Sequence, residues 1–349
     1  MREVRVSLLA IDEADASSVF GLYTVFKLYA GVVPDTIRFE PTIVAPDSCR
    51  GSVIETMTGL PIPLQRRIGE EPRTDIAIIP SLFTDAEGEW RTGRHPQAVD
   101  WIRLLYAAGQ VVCSSCTGAL LLAETGLLDG REATQHWAFS STFRRNFPGV
   151  RLNPGKVLVT AGDGDRLVMS GASAAWHDLV LYLVARLAGP AAARKIARFF
   201  LLQWHSEGQA PYIAFREIVD HGDAEILAAQ EWLRGHRAER APVERAMRHS
   251  SLAGRSFSRR FRKATGLTPI AYVQHLRVES AKEWLEVGAL PVDEIAWKVG
   301  YEDAASFRRV FKRLTGMSPS TYRRKFRVIG VETASGKLAA TDHRPDGDA

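Results

Sequence analysis

Up to Leu187, short apolar runs alternate with stretches whose apolar residues recur at three- and four-residue spacing. Residues 4–9, 38–45, 75–79, 111–113, 157–160 and 167–169 have the length and character of strands, several closed by proline or glycine. Residues 19–29, 97–108, 117–124, 136–147 and 172–187 have helical spacing and mostly stop at glycine. Strands alternating with helices predict a mostly parallel sheet covered on both faces. Gly189 and Pro190 break the last of these helices, and another is expected over 191–203. The stretch HSEGQAPY, residues 205–212, has no apolar period and reads as a connector.

After a helix expected over 223–236, a pattern occurs twice. Residues 256–272 read SFSRRFRKATGLTPIAY and residues 306–322 read SFRRVFKRLTGMSPSTY, with eight identities in seventeen at an offset of fifty. Glu244 and Ala246 match Glu294 and Ala296 upstream, so each copy predicts two helices joined by a turn, a helix-turn-helix in tandem. Phe257 and Phe261 fall one helical turn apart and predict a buried face, as do Phe307, Val310, Phe311 and Leu314. The opposite faces carry Arg255, Ser258, Arg259 and Arg262 in the first copy and Ala305, Arg308, Arg309 and Lys312 in the second. A helix entering the major groove would present these to base edges and phosphates. Arg259 and Arg309 hold the same repeat position, and arginine suits guanine O6 and N7.

Charge sharpens this division. The net charge is +5, but residues 243–327 carry 18 Lys and Arg against 8 Asp and Glu, whereas residues 1–242 carry 25 against 28. A basic segment joined to a slightly acidic one is the expected balance of a nucleic-acid-binding domain attached to a non-binding domain. No run approaches the roughly 20 apolar residues of a membrane span, and the first residues do not read as a signal peptide. A cytoplasmic location is expected. Three cysteines without framework spacing argue against a disulfide scaffold.

One of those cysteines carries candidate chemistry. After the strand expected at 111–113 come Ser114, Ser115, Cys116, Thr117 and Gly118, and a helix begins at once. Small residues two before and two after Cys116 suit a sharp strand-to-helix elbow, where a helix N-terminus is expected to lower the thiol pKa. His136 is placed to approach the same mouth. Cys113 and Cys116 also form a C-x-x-C pair, which admits a redox-sensing role. No second pair of ligands stands at metal spacing, so no metal is expected.

Residues 275–286 (HLRVESAKEWLE) and 292–324 (VDEIAWKVGYEDAASFRRVFKRLTGMSPSTYRR), with the first repeat copy, resemble the AraC family of transcription regulators. That resemblance implies two helix-turn-helix units bridged by a long helix, with Arg255, Ser258, Arg259, Ala305, Arg308 and Arg309 at base-contacting positions. Residues 116–137 (CTGALLLAETGLLDGREATQHW) resemble the DJ-1/PfpI superfamily, related to class I glutamine amidotransferases. Together the two look like regulators of the GlxA type. In enzymes of that superfamily the cysteine is a nucleophile, a histidine assists it and an acid near the end of the first strand supports it. Here Ser17 falls at the acid's position, with Asp12, Glu13 and Asp15 offset.

The resemblance thus implies a flavodoxin-like α/β domain over 1–187 for sensing and dimerisation, a helical connector over 188–221, and an all-α DNA-binding domain over 222–327. A disordered tail follows over 328–349. It further implies a catalytically inactive pocket with Ser17, Cys116, Thr117 and His136 as ligand-binding residues, Cys116 and His136 being vestigial catalytic groups. No cofactor is expected. The partners it implies are double-stranded operator or promoter DNA, a small and nitrogen-containing effector, a second copy of the chain, and RNA polymerase. Two alternatives are a cysteine hydrolase or amidase with an attached DNA-binding domain, and a regulator switched by oxidation of Cys116.

Overall fold

The computed structural model describes residues 2–34, 37–70, 73–252 and 254–327. They form two compact units that divide between Ile213 and Ala214. The tail expected over 328–349 lies outside the described residues.

The first unit begins with β1 (Arg2–Leu9), α1 (Ala16–Val32) and β2 (Ile37–Ala45). A small antiparallel pair, β3 (Val53–Glu55) and β4 (Pro61–Pro63), precedes the edge strand β5 (Arg66–Arg67) and then β6 (Ile76–Ile79). Next come α2 (Pro96–Ala107), β7 (Val111–Ser115) and α3 (Gly118–Glu124). A short parallel pair, β8 (Glu132–Ala133) and β9 (Arg151–Leu152), flanks α4 (Ser140–Asn146). The unit closes with β10 (Leu158–Ala161), β11 (Leu167–Ser170), α5 (Trp176–Ala188) and α6 (Pro190–Phe200).

The main sheet runs β10-β11-β7-β6-β1-β2-β5, and all its pairings are parallel except β10 with β11. Its inner order is that of a flavodoxin-like doubly wound sheet, which has its switch point between β1 and β6. All four residues of β6 and all four of β11 are buried, as strands covered on both faces must be. One apolar layer gathers Val4, Val6 and Leu8 with side chains of α1, α5 and α6; the other gathers Leu9 and Ile79 with residues of α2 and α3.

The connector expected over 188–221 does not stand apart. Ala192, Ala193 and Ile196 of α6 are buried in the layer shared with α1 and α5, so residues 188–213 fold with the first unit. The expected helix over 136–147 is also interrupted: a short 3-10 turn at Trp137–Phe139 precedes α4.

The second unit contains α7 (Ala224–Gly235), α8 (Pro242–His249), α9 (Gly254–Thr265), α10 (Pro269–Val287), α11 (Val292–Lys298), α12 (Ala304–Thr315) and α13 (Pro319–Phe326). It has two apolar cores. Ile226, Leu233, Phe257, Phe261 and Tyr272 fill the first, and Ile295, Phe307, Phe311 and Tyr322 fill the second. α10 serves both, giving Val273 and Leu276 to the first and Val278, Ala281 and Leu285 to the second. The repeat is visible in detail. Thr265 donates to Phe261 O and Thr315 to Phe311 O, each at 2.8 Å, and Thr268 and Ser318 cap the helices that open with Pro269 and Pro319. Gly266 and Gly316 end α9 and α12 at φ 74° and 77°, as helix-closing glycines do.

Candidate nucleic-acid interface and candidate sensor site

The amphipathic repeat puts the phenylalanines of α9 and α12 inward, which turns the basic positions outward. Arg255, Ser258, Arg259 and Arg262 are all exposed on α9, and Ala305, Arg308, Arg309 and Lys312 are all exposed on α12. Four residues of each helix thus share one face, at repeat-equivalent positions, open to a partner. The side chains of Arg255, Arg259, Arg262 and Lys312 make no hydrogen bond or ion pair among the described residues. Arg308 pairs with Asp293 of α11, and Arg309 donates to Ser306 Oγ at 2.7 Å with Asp303 at 3.9 Å. Asp303 is also the N-cap of α12, accepting from the Ser306 hydroxyl and from Ala305 N and Ser306 N, and these bonds, the hydroxyl's foremost, hold its carboxyl below the usual carboxylate range.

Arg260, also on α9, turns away from that face. It donates two hydrogen bonds, at 2.7 and 2.9 Å, to the Asp223 cap of α7, so its work is structural.

In the first unit, Cys116 sits between β7 and α3 at φ 55°, a left-handed conformation unusual for a side chain of its size. Its N–H donates to Ser170 O at 3.0 Å. A Cβ at Gly118 would stand 2.3 Å from Pro80 O, so only glycine fits where α3 starts against the loop after β6. Thr117 is buried and clasps that loop: its hydroxyl donates to Leu82 O and accepts from Leu82 N. The sharp elbow anticipated from the small residues is present.

The electrostatics differ from expectation. The Cys116 thiol is only 3% exposed, with Sγ 3.6 Å from Ser173 Oγ and 3.7 Å from Thr117 Oγ1. Burial pushes its pKa up, and the hydroxyls of Ser173 and Thr117 oppose this without reversing it. The expected lowering by the helix N-terminus does not prevail. Cys113 is fully buried in the α1-side layer, where burial likewise pushes its thiol far up.

The other expected pocket residues face elsewhere. Ser17 is exposed at the start of α1 and donates to the Asp15 cap. Its neighbour Ser18 is the buried one, accepting from Ser81 N on the loop beside Thr117. His136 is half-buried; its Nδ1 accepts from Ala138 N at 3.1 Å, and its ring lies between those of Trp137 and Phe139. The structure therefore joins Cys116 to Thr117 and to Ser173, a residue with no sequence signal beyond being small.

One of the acids offset from Ser17 is a buried carboxylate whose partners the sequence did not indicate. Glu13, 2% exposed just past β1, has Arg94 on one oxygen and His95 Nε2 3.1 Å from the other. Burial alone would raise its pKa, but His95 and Arg94 outweigh this and leave it lowered. Glu13 lines a cleft of about 680 Å³ with Phe83, Trp90 and Arg94, at the carboxyl ends of β1 and β6 where doubly wound sheets hold ligands. Among the described residues no group of histidine, cysteine or carboxylate side chains could hold a metal ion, and no helix is long and apolar enough to cross a membrane.

A doubly wound domain with a left-handed cysteine elbow, followed by paired helix-turn-helix copies, defines a chain of one α/β part and one helical part whose basic faces suit nucleic acid. Comparison with known proteins makes the families explicit. Residues 4–166 match the DJ-1/PfpI family and residues 247–325 match a helix-turn-helix domain. The chain thus carries a match to the DJ-1/PfpI family followed by a match to a helix-turn-helix domain of the AraC type. It is 29% identical over 236 residues to the HTH-type transcriptional regulator CdhR of Pseudomonas aeruginosa, covering 65% of this chain and 66% of that protein. To the HTH-type transcriptional regulator GlxA of Rhizobium meliloti it is 28% identical over 211 residues, covering 59% and 63%. An isonitrile hydratase of Pseudomonas putida is 31% identical over 136 residues, covering 39% of this chain and 55% of that enzyme. The chain thus matches less than two thirds of the length of these curated relatives. A solved structure of a putative transcriptional regulator protein from Vibrio parahaemolyticus aligns with a TM-score of 0.47 at 21% identity, over 57% of this chain and 99% of that one.

Proposed function

We propose that this chain is a sequence-specific transcription regulator, acting as an activator, whose helical unit reads two successive major-groove segments of operator DNA roughly 34 Å apart. The observation that carries the reading is the double presentation of one basic face. α9 and α12 expose repeat-equivalent residues, with Arg259 and Arg309 matched, on a segment holding most of the excess positive charge. The relatives named as transcriptional regulators combine with it. The first unit serves as sensor and dimerisation domain, its effector a small nitrogen-containing metabolite held near Cys116. Contact with RNA polymerase completes the reading. Such an effector acts only if it binds the active and inactive arrangements with different affinity.

The test is binding of the purified full chain to the DNA upstream of its own gene across a salt series. Sequence-specific binding retained in Cys116→Ala and lost in Arg309→Ala is the expected result. Binding that is steeply salt-dependent and blind to sequence would overturn the reading.

A second reading, a cysteine hydrolase carrying a DNA-binding domain, is favoured by one observation: the left-handed Cys116 elbow, in a domain shared with an isonitrile hydratase. Against it stand the raised thiol pKa and the Ser17 hydroxyl, which is engaged with Asp15. Turnover of an isonitrile or amide substrate, abolished in Cys116→Ala, would decide for the enzyme.

A further inference from the structure

The part of the connector nearest the first unit is docked with more care than a spacer needs. α6 ends at Leu201, whose φ of 54° turns the chain out of the helix. The chain then returns to the α/β fold at two points. His205 donates its backbone N–H to one oxygen of Asp178 at 2.8 Å and places Nδ1 2.7 Å from the other; Asp178, on α5, is buried. Gln209 is 2% exposed, and its backbone N–H donates to Gly155 O at 2.8 Å. Its amide nitrogen lies 2.9 Å from Gln135 O, 2.9 Å from Lys156 O and 3.2 Å from Thr134 Oγ1. A methyl group at Gly171 would stand 2.3 Å from the Gln209 amide carbon, so the seat is shaped to this one side chain.

One wall of that seat, the turn at Gly171, also frames Cys116. Gly171 follows Ser170, whose carbonyl accepts from Cys116 N, and it precedes Ser173, whose hydroxyl lies against the thiol. Thr134 and Gln135 lead directly into His136. One buried amide therefore touches the turn that brings Ser170 and Ser173 to Cys116.

We propose that residues 201–213 are a latch whose seating at Gln209 is coupled to occupancy of the Cys116 site. A group that enters between Cys116 and Ser173 moves Gly171 and unseats Gln209, and an unseated Gln209 opens the way to Cys116. Coupling of this kind is reciprocal by thermodynamic necessity. This rests on the reading of the first unit as a sensor.

The three cysteines provide the test in the full-length protein, with iodoacetamide as probe and mass spectrometry to resolve the sites. Cys49 is half-buried, Cys116 is nearly covered and Cys113 is fully buried. In Gln209→Ala, Cys116 is expected to alkylate at least tenfold faster than in the wild type, with Cys49 unchanged and Cys113 unreactive. Hydrogen exchange at the Gln209 and Tyr212 amides should accelerate by a similar factor. The converse also holds: wild-type protein alkylated at Cys116 should show the same accelerated exchange. Exchange that quickens with no change at Cys116 overturns the coupling, and exchange that does not quicken overturns the latch. Should Gln209→Ala open the whole unit, seen as reaction at Cys113, the isosteric Gln209→Glu must meet the same criteria, since a carboxylate cannot donate to those three acceptors. The experiment uses neither DNA nor effector, so its failure is distinct from failure of DNA recognition.

Discussion

In the first helix-turn-helix copy, Arg255, Arg259 and Arg262 leave α9 unpaired among the described residues, whereas in the second Arg308 is tied to Asp293 and Arg309 to Ser306 and Asp303. The scaffolds beneath are nearly superposable in logic: paired phenylalanines, a threonine bonded back to the preceding turn, a tyrosine closing the core. The difference lies in where acids were placed. At the offset of fifty, Asp293 answers Val243 and Asp303 answers Ala253. Similar interiors thus carry a loose basic face in one copy and an internally braced one in the other. A braced arginine has less freedom to lose on meeting a base edge but must leave its carboxylate to do so. An unbraced one is available to any phosphate.

The largest test of the shared scaffold is core deletion. Phe261→Ala and Phe311→Ala should each cost about 3–5 kcal/mol in urea unfolding, and a clear inequality between them would break the equivalence. The division of labour is tested next. Arg309→Ala should relax discrimination between operator and scrambled DNA by about 1–3 kcal/mol, and Arg259→Ala should weaken both sequences alike and reduce the salt slope by about one. The opposite assignment would mean that the unpaired copy is the reader. Asp303→Ala removes the cap of α12 and should destabilise that helix by about 1 kcal/mol.

Acid should separate the copies as well. Glu217, although burial would raise its pKa, is held low by Arg234 and Tyr272, and Asp223 is held low by Arg260; both brace the first copy. For a carboxyl whose folded pKa is depressed, the stabilisation is full above the unfolded pKa and is lost as pH falls through the folded one. Asp303 is held low in the second copy, so both copies should weaken below about pH 4. The first should weaken more, since it loses two such carboxyls against one, as amide signals in α7 and α9 against those in α12 would report. The smallest effect is expected from Asp293→Asn, which frees Arg308. As an exposed pair it should change stability by less than about 1 kcal/mol while raising affinity for non-specific DNA.

Much of this molecule was legible in its sequence, for reasons that differ from part to part. The helical unit declared itself because phenylalanines four apart, glycines at helix ends and prolines at helix starts are local signals that the fold simply obeys. The cysteine elbow was legible because close packing against the Pro80 carbonyl leaves only glycine at position 118. What escaped depends on partners distant in the chain. Gln209 lies in a stretch without apolar period, yet its three acceptors lie more than fifty residues away. Glu13 was noted only as an acid near Ser17; its pairing with His95 required the fold. The thiol of Cys116 was expected to be acidified by the helix behind it, but the depth of its burial, which no spacing reveals, decides the opposite. Residues 188–213 looked like a connector because small alanines carry α6 against the core, and alanine is a weak sign of burial.

α10 lends opposite ends of one continuous helix to two separate interiors, and that makes it a gauge of phase. Each residue in it advances the chain by about 1.5 Å and turns it by about 100°, and its 19 residues span roughly 28 Å. Inserting a single residue would barely alter the distance between α9 and α12, yet it would swing one of them more than a quarter turn about the axis of α10. On the proposed reading, the operator spacing follows from that count of residues, and inserted residues would keep α9 and α12 in phase only near whole turns of about 3.6 residues.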